Sequence, residues 1–340
     1  MGGWGDQDED MGHGRASMPG ERPAVQGGDG VVQPQRVIPA LIGPTASGKS
    51  ALALAWAART GGTILNVDAM QLYRDLRIVT ARPDQQEEAQ APHRLYGVLD
   101  GRETATAARY RALATATLAE TAGPVLLVGG TGLYLRALMQ GLSAIPTIDP
   151  ALRAEAEALR DRLGPEGFHQ AVARFDPALA ARRPIGDRQR LVRGWEVYHG
   201  TGRSLTDWQC EPPDGPPPGV EIRPVVIDPP RPWLYDRIDR RFHAMVAAGA
   251  VEEVRAVEHL PVDAPLRKAV GVPELLGVLA GVWSLEAGIA KAQQASRHYA
   301  KRQTTWCRTQ LAQAPRVFAQ DYCAQCDEMF AILDGLPLTR

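Results

Sequence analysis

Short apolar runs alternate with stretches of helical periodicity through the first half of the chain. Residues 37–42, V-I-P-A-L-I, are apolar throughout, the pattern of a strand buried on both faces. Pro39 has no amide hydrogen, so it is expected near the start of that strand or beside a gap in its pairing. An Ala/Leu-rich helix is predicted over residues 51–59, then a strand over 63–67 that ends at Asp68. Residues 106–121 read as a helix. Residues 124–128, P-V-L-L-V, read as a third strand running into Gly129-Gly130-Thr131-Gly132. Strands alternating with helices in this way predict a parallel sheet covered on both faces.

After Pro150 the texture changes. Residues 151–163, 167–174 and 187–199 are charged, amphipathic helices with no apolar strand between them. The segment 212–219, P-P-D-G-P-P-P-G, is a linker or tight loop. Residues 225–227 suit a strand returning to the sheet, and helices follow at 232–247, 251–259 and 289–310. The pattern predicts an α/β core over 37–149 and 216–320, an all-helical insertion over 150–215 and a tail over 321–340. Residues 1–36 are rich in Gly, Asp, Gln and Pro without apolar periodicity, which predicts a disordered tail.

Composition narrows the function classes. Of the 340 residues 44% are hydrophobic, enough for a sizeable core, and 38 basic against 39 acidic side chains leave a net charge of −1. That balance does not advertise a nucleic-acid binder, although affinity depends on where the positive charge lies. No run of about 18 apolar residues suggests a membrane span, and the acidic N-terminus is unlike a signal peptide. Four cysteines make no disulfide framework, so a cytoplasmic protein is expected.

The most specific local pattern is Gly43–Ser50, G-P-T-A-S-G-K-S, between a predicted strand and a predicted helix. G-x-x-x-x-G-K-[ST] in that setting is the phosphate-binding loop of ATP- and GTP-binding proteins, so the fold class is a P-loop NTPase-like α/β sheet. Glycines let backbone N–H groups turn onto phosphate oxygens, and the following helix adds its positive end. Gly43, Pro44, Thr45, Ala46, Ser47, Gly48, Lys49 and Ser50 are therefore the expected diphosphate-binding residues, with Lys49 as counter-charge and Ser50 as a Mg²⁺ ligand. NTP hydrolysis also calls for a carboxylate at a neighbouring strand end. The strand over 124–128 ends in glycines, and Asp68 ends another strand, where it suits either a metal ligand or a general base.

Taken together, eight blocks in order resemble the tRNA dimethylallyltransferase (isopentenyltransferase) family of bacterial type. They are G-P-T-A-S-G-K-S at 43–50, V-D-A-M-Q-L-Y at 67–73, T-A-R-P at 80–83, A-P-H-R-L at 91–95, V-G-G-T-G-L-Y at 128–134, D-R-Q-R-L-V-R-G-W-E-V at 187–197, R-I-D-R-R-F-H-A-M at 237–245 and K-R-Q-T-T-W-C-R at 301–308. The resemblance implies transfer of a dimethylallyl group from its diphosphate to N6 of the adenosine beside the tRNA anticodon. It also accounts for the missing strand-end acid, because the loop then holds a leaving diphosphate and no water attacks.

An allylic carbon departs readily once the charge on its leaving group is stabilised. Lys49, Mg²⁺ on Ser50, and Arg237 and Arg241, one helical turn apart, would do this. The weakly basic amine must lose a proton as the C–N bond forms, which the resemblance assigns to Asp68, with Thr131 orienting the base. A stacked base has to be flipped out and read by stacking and edge contacts. By family position the tRNA contacts are Asp68, Ala69, Met70, Gln71, Thr131, Arg153, Gln189, Arg190, Leu191, Val192, Arg193, Lys301, Arg302, Gln303, Trp306 and Arg308. A monomer is expected. Prenylation of a free adenine nucleotide and a small-molecule kinase are the alternatives; the insertion and the K-R-Q-T-T-W block favour tRNA.

The chain departs from the family where Val272 and Pro273 replace a tyrosine and a base, with Arg267 and Lys268 nearby. Gly194-Trp195 replaces a typical Ala-Leu and weakens helix propensity. Cys323 and Cys326 form a C-x-x-C pair without the two further ligands a zinc site needs.

Overall fold

The computed structural model describes residues 36–336. Six strands form one parallel sheet: β1 (Arg36–Ile42), β2 (Thr63–Val67), β3 (His93–Arg94), β4 (Val125–Gly129), β5 (Val220–Ile227) and β6 (Arg316–Val317). Their spatial order is β3-β2-β4-β1-β5-β6. Successive residues of β1 enter different hydrophobic clusters, Ala40 and Ile42 on one face and Leu41 on the other. That double burial is why the strand reads as continuously apolar rather than alternating.

Pro39 is tolerated for a local reason. Arg36 donates its amide hydrogen toward β5, to Gly219. Alternate residues of β1 therefore face β4, and the missing donor of Pro39 points there. The ladder to β4 begins only at Ala40, opposite Leu127.

On one face α1 (Lys49–Thr60) packs through Leu52 and Trp56. The short α2 (Gln85–Gln90) carries a capping box from Asp84 and Glu87. Opposite α1 lie α3 (Ala107–Glu120) and α4 (Gly132–Gln140). The helical region then comprises α5 (Pro150–Ala173), α6 (Pro177–Arg182), α7 (Arg188–Thr201) and α8 (Leu205–Cys210). It has its own cluster around Phe168, Val172, Leu179, Leu191 and Trp195. Gly164, at φ 71°, and Pro165 kink α5 where the sequence predicts two helices. A Cβ at Gly194 would lie 2.3 Å from Leu179 Cδ2, so close packing of α6 on α7 explains the weak helix former. After β5 come α9 (Arg231–Ala247), α10 (Ala250–Ala256), α11 (Val272–Leu279) and α12 (Leu285–Gln310).

Two boundaries differ from expectation. The chain over 321–340 is not simply a tail, since α13 (Tyr322–Asp334) packs on α1 and buries Met329 and Leu333. Strand β5 starts at Val220, ahead of the predicted 225; Glu221, Arg223 and Pro224 interrupt the apolar pattern, which therefore marks only its second half. Arg36, placed in the N-terminal tail by composition, opens β1; residues 1–35 and 337–340 lie outside the described residues. Among the described residues no helix is long and apolar enough to cross a membrane.

Candidate active site

The C-terminal ends of β1, β2 and β4 meet at one rim, where open parallel sheets bind ligands. The phosphate loop leaves β1 there. Ala46 sits at φ 64°, a conformation unfavourable for a residue with a Cβ, and Arg237 Nε donates to its carbonyl at 3.0 Å. The same guanidinium lies 4.6 Å from the centre of the Trp233 ring. Arg241, one turn further along α9, donates to Thr45 Oγ1. Both predicted arginines thus reach the loop. Lys49 Nζ is 2.6 Å from the Pro44 carbonyl.

Two adjoining cavities flank Asp68. The first, about 420 Å³, is bordered by the loop from Thr45 to Ser50, Lys49 included, and by Arg237, Arg240 and Arg241. The second, about 270 Å³, has apolar walls from Met70, Val79, Ile238, Phe242 and Met245, with Thr131, Tyr299 and Arg302 among its polar groups. Thr45, Asp68, Thr80 and Arg241 border both.

The electrostatics follow from burial against mutual attraction. Burial lowers Lys49 to about 8, with Arg241 acting in the same direction and Asp68 opposing. Burial raises the Asp68 carboxyl, while the Met70 amide and the charges of Lys49 and Arg241 pull it back. Arg241 falls to about 10 through burial and its neighbour Arg237. Desolvation disfavours each charged form, so such a site is poised to take opposite charge from a ligand.

Asp68 and Thr131 are fixed by backbone bonds. Met70 N–H donates to Asp68 Oδ1 at 3.0 Å. Buried Asn66 accepts from the Asp68 amide at 2.7 Å and donates to the Asp68 and Leu95 carbonyls. Thr131 Oγ1 accepts from Ala69 N–H at 3.0 Å, and the Thr131 amide donates to Val67 at 3.1 Å. The two residues therefore come together at the ends of adjacent strands β2 and β4.

Several predicted contacts are placed differently. Gly43 and Pro44 are buried behind the loop and line neither cavity, and the Thr45 N–H donates to Gln303 at 2.8 Å. Gln303 is buried, with its amide also donating to Gly130, so it is not an exposed RNA contact. Leu191 and Val192 face the core of the helical region, opposite Gln189, Arg190 and Arg193 on α7. Gln71 donates both amide hydrogens to the Thr80 and Ala81 carbonyls. Trp306 packs half-buried against Gly132. Arg308 pairs with Asp228.

Arg302 and Lys268 border the second cavity, and Lys301 is exposed. Arg267 instead donates to the Glu258 and Leu260 carbonyls. Arg153, Gln189, Arg190 and Arg193 border neither cavity. Arg153 and Arg193 both pair with buried Glu196, and Arg190 with Asp187.

Sequence reasoning missed Arg240, Glu87 and Tyr96 around the first cavity and Ser296 and Tyr299 around the second. Arg240 stands inside the R-I-D-R-R block and was discoverable there; the others carry no spacing signal. It also overlooked Asp228, an acid at the end of β5 beside β1, which is engaged by Arg308 and Arg316.

Ser50 lines the first cavity, which Asp68 also borders, and among the described residues there is no cluster of three or more His, Cys, Asp or Glu side chains that could hold a metal ion. Mg²⁺ keeps most of its shell as water and substrate phosphate oxygens and takes one or two protein oxygens, so this donor set fits it.

The family model described as IPP transferase matches residues 71–310. A tRNA dimethylallyltransferase from Rhodospirillum centenum is 52% identical over 279 residues, covering 81% of this chain and 89% of that protein. The solved tRNA isopentenylpyrophosphate transferase of Bacillus halodurans superposes with a TM-score of 0.62 at 29% identity, over 88% of this chain and 96% of that one. A eukaryotic dimethylallyltransferase, solved acting on tRNA, has the same fold: TM-score 0.76 at 21% identity, over 90% and 81% of the two chains.

Proposed function

The chain belongs to the IPP transferase family, and on that premise we propose that it transfers a dimethylallyl group from dimethylallyl diphosphate to N6 of the adenosine next to the tRNA anticodon. The observation that carries this reading is the position of Asp68, between a cationic cavity at the phosphate loop and an apolar one beside Thr131.

In this reading the diphosphate occupies the first cavity. Lys49, Arg237 and Arg241 neutralise it, and the loop amides of Ala46 and of Gly48 to Ser50 hydrogen-bond its oxygens. Bound Mg²⁺, held on the protein side by Ser50, would supply further charge neutralisation of the leaving group. The flipped adenine enters the second cavity, with Thr131 at its edge. Asp68 accepts the N6 proton as the new C–N bond forms, and the C–O bond to diphosphate breaks. An apolar wall excludes water, the competing nucleophile.

The cations of α7 and α12, with Arg153, would hold the stem-loop backbone, so binding weakens as salt rises. The test is incubation of purified protein with Mg²⁺, dimethylallyl diphosphate and an anticodon stem-loop carrying adenosine 3′ of the anticodon. Formation of isopentenyladenosine supports the reading; prenylation of free AMP in its place overturns it.

A further inference from the structure

Resting on the transferase reading, we propose that Gln303 is a positioning residue that sets the spacing between the phosphate loop and the turn carrying Thr131. Gln303 lies on α12 and is 6% exposed. Its Oε1 accepts the Thr45 amide hydrogen at 2.8 Å, and its Nε2 donates to the Gly130 carbonyl at 3.0 Å. One planar side-chain amide thus joins the two segments that hold the two substrates.

The strand ladder does not do this alone. Strands β1 and β4 are neighbours, but the bond that follows their paired residues, Gly43 N–H to the Gly129 carbonyl, is long at 3.4 Å. Beyond it the backbones separate into the phosphate loop and the Gly130-Thr131 turn, and Gln303 is inserted at that point. The insertion demands a small residue on β4's side, since a Cβ at Gly130 would lie 2.1 Å from Gln303 Nε2.

Each end of the bridge adjoins a residue of the proposed site. Thr45 Oγ1 accepts from Arg241. Gly130 precedes Thr131, which is bonded to Val67 and Ala69 on either side of Asp68. Both polar atoms of Gln303 are engaged within the protein, so its contribution is to distance and orientation. Bond formation needs the reacting atoms about 3–3.5 Å apart, and displacement by about 1 Å costs roughly 100-fold in rate.

Two variants separate the ends of the bridge. Gln303→Leu removes both bonds, whereas Gln303→Glu keeps an acceptor for Thr45 and loses the donor to Gly130. With the anticodon stem-loop and dimethylallyl diphosphate, both should lower the single-turnover rate per active site by about 100-fold. Stem-loop affinity should stay within about twofold in both variants. Backbone amide exchange should quicken around Gly130 in both variants and at Thr45 in Gln303→Leu alone.

Stem-loop affinity about tenfold weaker with an unchanged rate at saturation would make Gln303 an RNA contact and overturn the proposal. A lower melting temperature with unchanged exchange and an unchanged rate per active site would leave it a packing residue, and overturns the proposal equally. If the unaltered protein does not modify the stem-loop, the transferase reading fails; the exchange measurement still decides whether the bridge orders both segments.

Discussion

Lys49 and Asp68 border the same cavity, and each opposes the shift that burial imposes on the other. Burial pushes the lysine down to about 8 and the carboxyl up, toward neutrality in both cases, while their attraction favours the charged pair. Catalysis as proposed needs both charges, a carboxylate to take the proton and an ammonium to meet the diphosphate.

The pH dependence of kcat/KM should therefore be bell-shaped. Activity falls on the acid side as Asp68 protonates, at a pH above the ordinary carboxylate range. It falls on the alkaline side as Lys49 loses its proton near pH 8. Asp68→Asn should cost about 10²- to 10⁴-fold in single-turnover rate while leaving stem-loop binding intact. Lys49→Arg should move the alkaline limb upward. A profile with no acid limb above the ordinary carboxylate range and no alkaline limb near pH 8 would remove both residues from the titrating chemistry.

Arg241 tests the other side of the first cavity. Its guanidinium is held between the phosphate loop and Asp68, and burial lowers its affinity for protons to about 10. Arg241→Met should raise KM for dimethylallyl diphosphate by about 10- to 100-fold, the worth of a hydrogen bond to a charged group. Stem-loop affinity and its salt dependence should not change. Titration of inorganic diphosphate against both proteins checks the assignment without turnover.

Arg190 is the cleanest probe of the helical region. It is exposed, and its one ion-pair partner among the described residues, the half-buried Asp187, still caps α7 by accepting the backbone amide hydrogen of residue 190 when the arginine side chain is removed. Arg190→Ala should leave the melting temperature unchanged and reduce the slope of log Kd against log salt by about 1. Arg193 and Arg153 are poorer probes, because each pairs with buried Glu196. An unchanged slope in Arg190→Ala would remove that face of α7 from the RNA interface.

The parts of the site legible in the sequence are those where backbone demands restrict residue type. Apolar runs mark β1, β2 and β4, and glycines punctuate their ends, so Lys49, Asp68 and Thr131 can be placed at one rim from the sequence. What stays hidden is side-chain direction. Leu191 and Val192 sit inside a block that also holds Gln189, Arg190 and Arg193, yet α-helical geometry turns them to the opposite face. Gln303 and Gln325 are polar residues pointing inward, a choice with no periodic signature. Strands β3 and β6 contribute two residues each, too few for any alternation to register.

The C-terminal helix gives the remaining prediction. Gln325 of α13 donates to the Ser47 carbonyl at 3.2 Å and to the Ala319 carbonyl at 3.0 Å, so this helix supports the phosphate loop from behind. Its attachment depends on Met329 and Leu333, both buried against the cluster that includes Trp56 of α1. Met329→Ala should cost about 2–5 kcal/mol of stability, the range for emptying such a core position. Gln325→Leu should cost less stability but raise KM for dimethylallyl diphosphate, because the Ser47 carbonyl loses its partner and the loop its support. Chemical denaturation measures the first effect and steady-state kinetics the second. If Met329→Ala unfolds at the same denaturant concentration as the unaltered chain, α13 is not an integral layer of the core. A Gln325→Leu protein with an unchanged KM would show that the loop holds its shape without that bond.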